Sequence, residues 1–229
     1  MTPRPARPPK QRLPDPASLA TPWRLFVAVP LPPPVHELIG SLTAALAAEG
    51  WPVRWVAPEG AHLTLHFLGD TAPERVELLR LALPPVVARH APFDLRTAGL
   101  GVFPNARRPR VLWLGLHGPA HRLEALHRDL GSALRALDFP VDDGPYPPHV
   151  TLGRVRNTGT PDFPLRDLPE AVRRHLARAG EGGTEVPPAR PLPIRQVELV
   201  RSHLGPGGAR YETIGNSPLA PAPARGDAP

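Results

Sequence analysis

His62-Leu63-Thr64-Leu65 and His149-Val150-Thr151-Leu152 repeat one pattern, His-x-Thr-Leu, at two distant points of the chain. Each copy lies in a run with the alternation of a buried strand, where residues two apart share a face. On that period Leu63, Leu65 and Phe67 point into a core, while His62 and Thr64 point away from it together. Val150 and Leu152 take the core side of the second copy, leaving His149 and Thr151 on the other. Each strand thus presents an imidazole beside a hydroxyl. A single such pair is most often a hydrogen-bonded structural histidine; a second copy, with Leu again after Thr, shifts the weight to function. Two imidazoles, one to give and one to take a proton, with two hydroxyls to hold an oxyanion, suffice to hydrolyse a phosphodiester without a metal.

Around these motifs the chain reads as a series of short elements. Trp23–Val29 is a strand closed by Pro30 and the Pro32-Pro33-Pro34 run. Val35, Leu38, Ile39, Leu42, Ala45 and Leu46 follow helical spacing up to Gly50, a helix stop. Residues 51–56 form a short strand, Pro58-Glu59-Gly60 a turn, and 62–68 the first motif strand. Pro73 opens a second helix that Pro84-Pro85 should end. Phe93–Phe103 and residues 111–116 pair as a hairpin, and 119–137 carries Leu123, Leu126, Leu130, Leu134 and Leu137 on one helical stripe. The second motif strand, His149–Val155, follows; then come a short helix near 168–179, a Gly- and Pro-rich loop and a last hairpin, 194–203 with 210–214. Helix, motif strand, helix, hairpin occurs twice. Two α+β lobes about a pseudo-twofold axis would set the motifs facing each other across a cleft.

Composition bounds the rest. At 229 residues and 41% hydrophobic, the chain can bury one substantial core or two lobes sharing one. Residues 1–22, basic and Pro-rich, and 217–229 are expected to be disordered tails flanking a single bilobal domain at 23–216. No run of about 18 apolar residues predicts a membrane span, and the basic N-terminus lacks the apolar core of a secretory signal, so cytoplasm is the default. With no cysteine, disulfides and thiolate metal sites are excluded. Lys10 is the only lysine among 27 basic side chains, at a net charge of +6. Arginine's planar fork suits phosphate oxygens, although the abundance of Pro, Ala and Gly marks GC-rich coding as the main cause.

Other candidates give way to plainer readings. His117 and His121 are four apart, but Pro119 starts a helix between them, so they are not a helical metal pair. His36, His90, His127, His175 and His203 have no partnered pattern, and no GxxxxGK[ST] loop is present for ATP-dependent ligation. Trp51, Trp55 and Tyr146 could stack on a base but read first as core. His66 shares the face of His62 on strand period, either at the cleft rim or idle on the surface.

Five blocks, WRLFVAV (Trp23–Val29), HLTLHFLG (62–69), RVLWLGL (110–116), PHVTLGRV (148–155) and VELVRSHLGPGGARYETI (197–214), resemble the RNA 2′,3′-cyclic phosphodiesterases, historically called 2′-5′ RNA ligases, of the two-histidine (2H) phosphoesterase superfamily. The resemblance runs from Trp23 to about Leu219, with the blocks in the family's order. It implies a bilobal α+β fold, two β-sheets flanked by helices with a central cleft, and opening of a terminal 2′,3′-cyclic phosphate to a 2′-phosphate with no metal and no cofactor. It implies a monomer acting on RNA ends, such as tRNA fragments, or on small cyclic nucleotides. Carried over to this sequence, His62 is the proton donor to the departing 3′-oxygen and His149 the acceptor that activates water. Thr64, Thr151 and Arg154 hold the phosphoryl oxygens. Strict alternation points Arg154 away from His149, so either Gly153 marks a bulge that re-aims it, the favoured reading, or Arg154 is a structural ion-pair residue. Three alternatives remain open: hydrolysis of 2′-5′ linkages or small cyclic nucleotides, the reverse sealing reaction, and a non-catalytic RNA-binding module.

Overall fold

The computed structural model describes residues 21–105, 108–156, 187–205 and 208–220. Its chain order is β1 (Trp23–Val29), α1 (Pro33–Ala48), β2 (Val53–Trp55), β3 (Leu63–Thr71), α2 (Val76–Val87), β4 (Phe93–Phe103), β5 (Val111–His117), α3 (Ala120–Ala136), β6 (His149–Val155), β7 (Pro191–Ile194), β8 (Gln196–Gly205) and β9 (Gly208–Pro218). Local chemistry accounts for most boundaries. In α1 two prolines occupy the first turn, where a missing N–H costs nothing, and Val35, Leu38, Ile39, Leu42 and Leu46 bury one stripe. Gly50, at φ 73°, turns the chain out of that helix in the left-handed conformation a glycine takes without strain.

The fold is α+β. The two sheets expected from the sequence are one: nine antiparallel strands in the order β7-β4-β5-β6-β3-β1-β8-β9, with β2 also on β6. The sheet is curled into a half-barrel with three helices. Its two halves meet where β3 pairs β6 through Leu63 and Val150. Both side chains are fully buried, each contributing roughly 1.5–3 kcal/mol to that seam. Two of the three helices cross between halves, while α2 stays on β8 and β9 of the half it follows. The first, α1, follows β1 yet packs on β2, β6 and β7; the third, α3, follows β5 yet packs on β3.

One face of the sheet buries Leu25, Val27, Val29 and Leu63 against the helices. The other carries a small separate cluster of Phe26, Ala28 and Val200.

Three expectations change. The second helix passes through Pro84 and Pro85 and ends at Val87. Those prolines leave the carbonyls of Arg80 and Leu81 without helical partners, but both residues lie on the exposed side, and buried Leu83 and Val87 hold the last turn to the core. The last strand is longer than expected: β9 runs to Pro218 and Leu219 is buried, so the tail boundary at 217 falls inside it. An extra strand, β7, pairs β4 ahead of the last hairpin. The short helix near 168–179 lies outside the described residues.

Candidate active site

The seam decides which side chains meet. With Leu63 opposite Val150 in an antiparallel pair, one step along each strand sets His62 opposite Thr151 and Thr64 opposite His149. Directly opposed residues share a face with Cβ atoms roughly 4.5–5.5 Å apart. Leu63 and Val150 turn to the helices, and the two imidazoles and two hydroxyls form one quartet on the opposite face. Each histidine sits diagonally from the other, beside the other strand's threonine.

Both imidazoles are fixed in the same way. His62 Nδ1 lies 2.9 Å from the Gly60 carbonyl and His149 Nδ1 lies 2.8 Å from the Pro147 carbonyl, each two residues upstream. A carbonyl can only accept, so each Nδ1 carries the donated proton and each Nε2 is left for chemistry. Gly60 belongs to the 3₁₀ turn Pro58–Gly60, and Pro147 stands in a proline-rich approach to β6, so stiff backbone sets both ring orientations.

The surroundings differ. His62 stacks on Phe26, with centroids 4.4 Å apart, and takes the edge of Tyr211 at 5.1 Å. His149 meets Phe103 edge-on at 4.9 Å. Burial holds both pKa values below the ordinary histidine range, partly offset by the carbonyl bonds, and the Arg154 guanidinium lowers His149 further. Phe26, Tyr211 and Phe103 are site residues that the sequence reading missed; their only signal is phase, since Phe26 is out of step with buried Leu25 and Val27.

Downstream of each motif an extra residue shifts the strand period. In β3, Val27 pairs His66 and Ala28 pairs Thr64, leaving Leu65 extra. Leu65 and His66 are both buried, and Phe67 emerges 65% exposed on the quartet's face. In β6, Trp113 pairs Thr151 and Leu112 pairs Gly153, leaving Leu152 extra. Leu152 and Gly153 are buried and Arg154 emerges. With the bulge counted, Arg154 falls in phase with His149, and no described carboxylate pairs with it. Phe67 is corrected from core to exposed cleft, and His66, expected at the cleft rim or idle on the surface, is buried in the cleft wall. Counted from the two histidines, Phe67 and Arg154 are equivalent positions, as are His66 and Gly153.

Backbone freed by the β3 bulge is held by side chains. Tyr146 donates its hydroxyl to the Thr64 carbonyl at 2.8 Å, and burial pushes its phenol well up, so the proton stays. His127 bonds the Leu65 backbone, and His66 Nε2 lies 2.8 Å from the His127 carbonyl. The rings of His66, His127 and Tyr146 stack in sequence at 4.1 and 4.0 Å. Trp51 is core and Trp55 packs against it, so neither lines the cleft. A cavity of about 280 Å³ opens among Thr64, Phe67, His127, Tyr146 and His149, and one of about 170 Å³ beside Phe26, His62, Glu198 and Tyr211. Among the described residues no three His, Asp or Glu side chains converge as metal ligands, and no helix is long and apolar enough to cross a membrane.

A curled antiparallel sheet with two His-x-Thr motifs paired at its middle defines a class of fold, and comparison with known proteins gives the family. The 2′-5′ RNA ligase superfamily matches residues 31–205, and the chain belongs to it. It is 34% identical over 201 residues to the RNA 2′,3′-cyclic phosphodiesterase of Geobacillus stearothermophilus, covering 86% of this chain but only 58% of that protein. To the RNA 2′,3′-cyclic phosphodiesterase of Methanothermobacter thermautotrophicus it is 30% identical, covering 82% of this chain and 94% of that one. Among solved structures, a Thermus thermophilus protein superposes with a TM-score of 0.65 at 29% identity, over 86% of this chain and 98% of that one. E. coli LigT complexed with NADP+ superposes with a TM-score of 0.63 at 26% identity, over 88% and 99%.

Proposed function

We propose that this chain opens the terminal 2′,3′-cyclic phosphodiester of an RNA to a 2′-phosphomonoester, using its two histidines and no metal. The observation that carries the proposal is the antiparallel pair of Leu63 and Val150, which sets the two His-x-Thr motifs side by side. Relatives that are RNA 2′,3′-cyclic phosphodiesterases and a structural neighbour complexed with a dinucleotide support it.

In this mechanism the His149 Nε2 lone pair takes a proton from water as the water oxygen bonds to phosphorus. The bond from phosphorus to the 3′-oxygen breaks, and that oxygen takes the proton on His62 Nε2. Thr64, Thr151 and Arg154 stabilise charge developing on the phosphoryl oxygens. The imidazoles finish with exchanged protonation and reset through solvent. Because burial alone favours a neutral His62, the bound phosphate anion is what keeps it protonated.

Product analysis on an oligonucleotide ending in a 2′,3′-cyclic phosphate tests this. A 2′-phosphate is expected, with turnover persisting in excess chelator and falling by about two to four orders of magnitude in His62→Ala or His149→Ala. A 3′-phosphate product, or a requirement for a divalent ion, would overturn the mechanism.

A further inference from the structure

Arg54 takes no part in the chemistry above. It stands on β2 directly opposite Arg154 of β6, and both are exposed. Opposed residues of an antiparallel pair share a face, and like charges there repel. The neighbouring side chains fix which face it is: Val53 and Trp55 fill the buried side, where a Cβ on Gly153 would come 2.5 Å from Val53 Cγ1 and 3.0 Å from Trp55 Cε3. The Arg156 N–H reaches the Pro52 carbonyl at 2.8 Å, continuing the ladder so that Arg156 falls in phase with Arg154. No described carboxylate lies within ion-pair distance of Arg54, Arg154 or Arg156. Three guanidiniums in a row, unrelieved by any such acid, are unfavourable for folding and favourable for an anion.

Position separates Arg54 from the reacting group. The short strand β2 continues along the edge of β6 that β3 begins, so Arg54 is level with residue 154, three residues beyond Thr151. With Leu152 bulged out, Thr151 to Arg154 spans two pairs, Trp113 to Val111 on β5, or ~7 Å. At that level Arg154 is near enough to lower the pKa of His149, whereas Arg54 is not among the charges acting on either histidine, which suits Arg54 to the next phosphate of a chain rather than the cyclic one. We infer that Arg54, with Arg156 behind it, binds the backbone phosphate adjoining the reacting terminus and makes the site selective for an RNA chain over a free cyclic mononucleotide.

This rests on the proposed hydrolysis, and the test separates the two. The kcat/KM of an oligonucleotide ending in a 2′,3′-cyclic phosphate is compared with that of the 2′,3′-cyclic mononucleotide, between about 50 and 200 mM salt. In Arg54→Gln the ratio of the two is expected to fall about tenfold, the lower end for one charge-assisted contact. The logarithmic salt slope for the oligonucleotide should become shallower by about 0.7. Arg54→Lys should keep the wild-type slope while losing part of the ratio, at an unchanged thermal midpoint. An unchanged ratio and slope in Arg54→Gln, or equal losses on both substrates, overturns the inference while leaving the hydrolysis intact. A wild-type protein inert on both substrates overturns the hydrolysis and this inference with it.

Discussion

His62 and His149 share a tautomer but not a setting, and the difference has a direction that titration can read. If His62 must be protonated and His149 neutral, kcat/KM follows a bell whose limbs belong to the pair. Both pKa values are depressed in the free protein, so the bell is expected on the acid side of 6.5. Binding an anion beside His62 favours its charged form, so the alkaline limb of kcat should lie at higher pH than that of kcat/KM. Arg154→Met removes a positive charge that lowers His149, so the acidic limb of kcat/KM should move to higher pH. A stationary acidic limb in that variant would show that Arg154 does not act on His149.

At the scale of elements, the β3 bulge depends on a stack of imidazoles that must stay neutral. Burial lowers His66 and His127, His127 to about 4, with the charge of His66 adding to the effect on His127. The unfolded chain takes up protons below about 6.5 that the folded protein refuses. That contribution to stability is therefore complete above 6.5 and is lost as pH falls towards 4. Denaturant unfolding between pH 7 and 4.5 should show this decline, and His127→Gln, which cannot titrate, should flatten it. An identical slope in the variant would move the acid sensitivity elsewhere.

The same bulges mark how far the sequence could be read. Strands bounded by prolines, the α1 stripe ending at Gly50 and the repeated motif are local patterns, and the structure keeps them. An extra residue such as Leu65 or Leu152 leaves no mark in composition, because Leu suits either side of a buried strand. Strict period therefore put Phe67 in the core and His66 outside. Gly153 gave the one hint, a residue with no side chain where β2 presses against β6. The prolines of α2 were misjudged for a related reason: a break depends on whether the freed carbonyls are dry, and exposure is not written locally.

For the whole molecule, the crossing of the helices matters most. With α1 covering strands of the far half, α3 covering β3, and the buried residues of both halves in one continuous cluster, the halves share a single core. Unfolding is expected as one cooperative transition, with far-UV circular dichroism and tryptophan fluorescence coinciding, since Trp23 and Trp113 report from opposite halves. Two resolved transitions would mean that the halves are separable.

The narrow join between those halves has a kinetic consequence. A register slip of one residue at Leu63 and Val150 would not distort the quartet by degrees; it would carry a histidine and a threonine to the wrong side of the sheet together. Damage there thins the population of competent molecules without slowing the survivors. A weakened preparation would lose total activity in proportion to its titratable sites, and each remaining site would turn over at the undamaged pace.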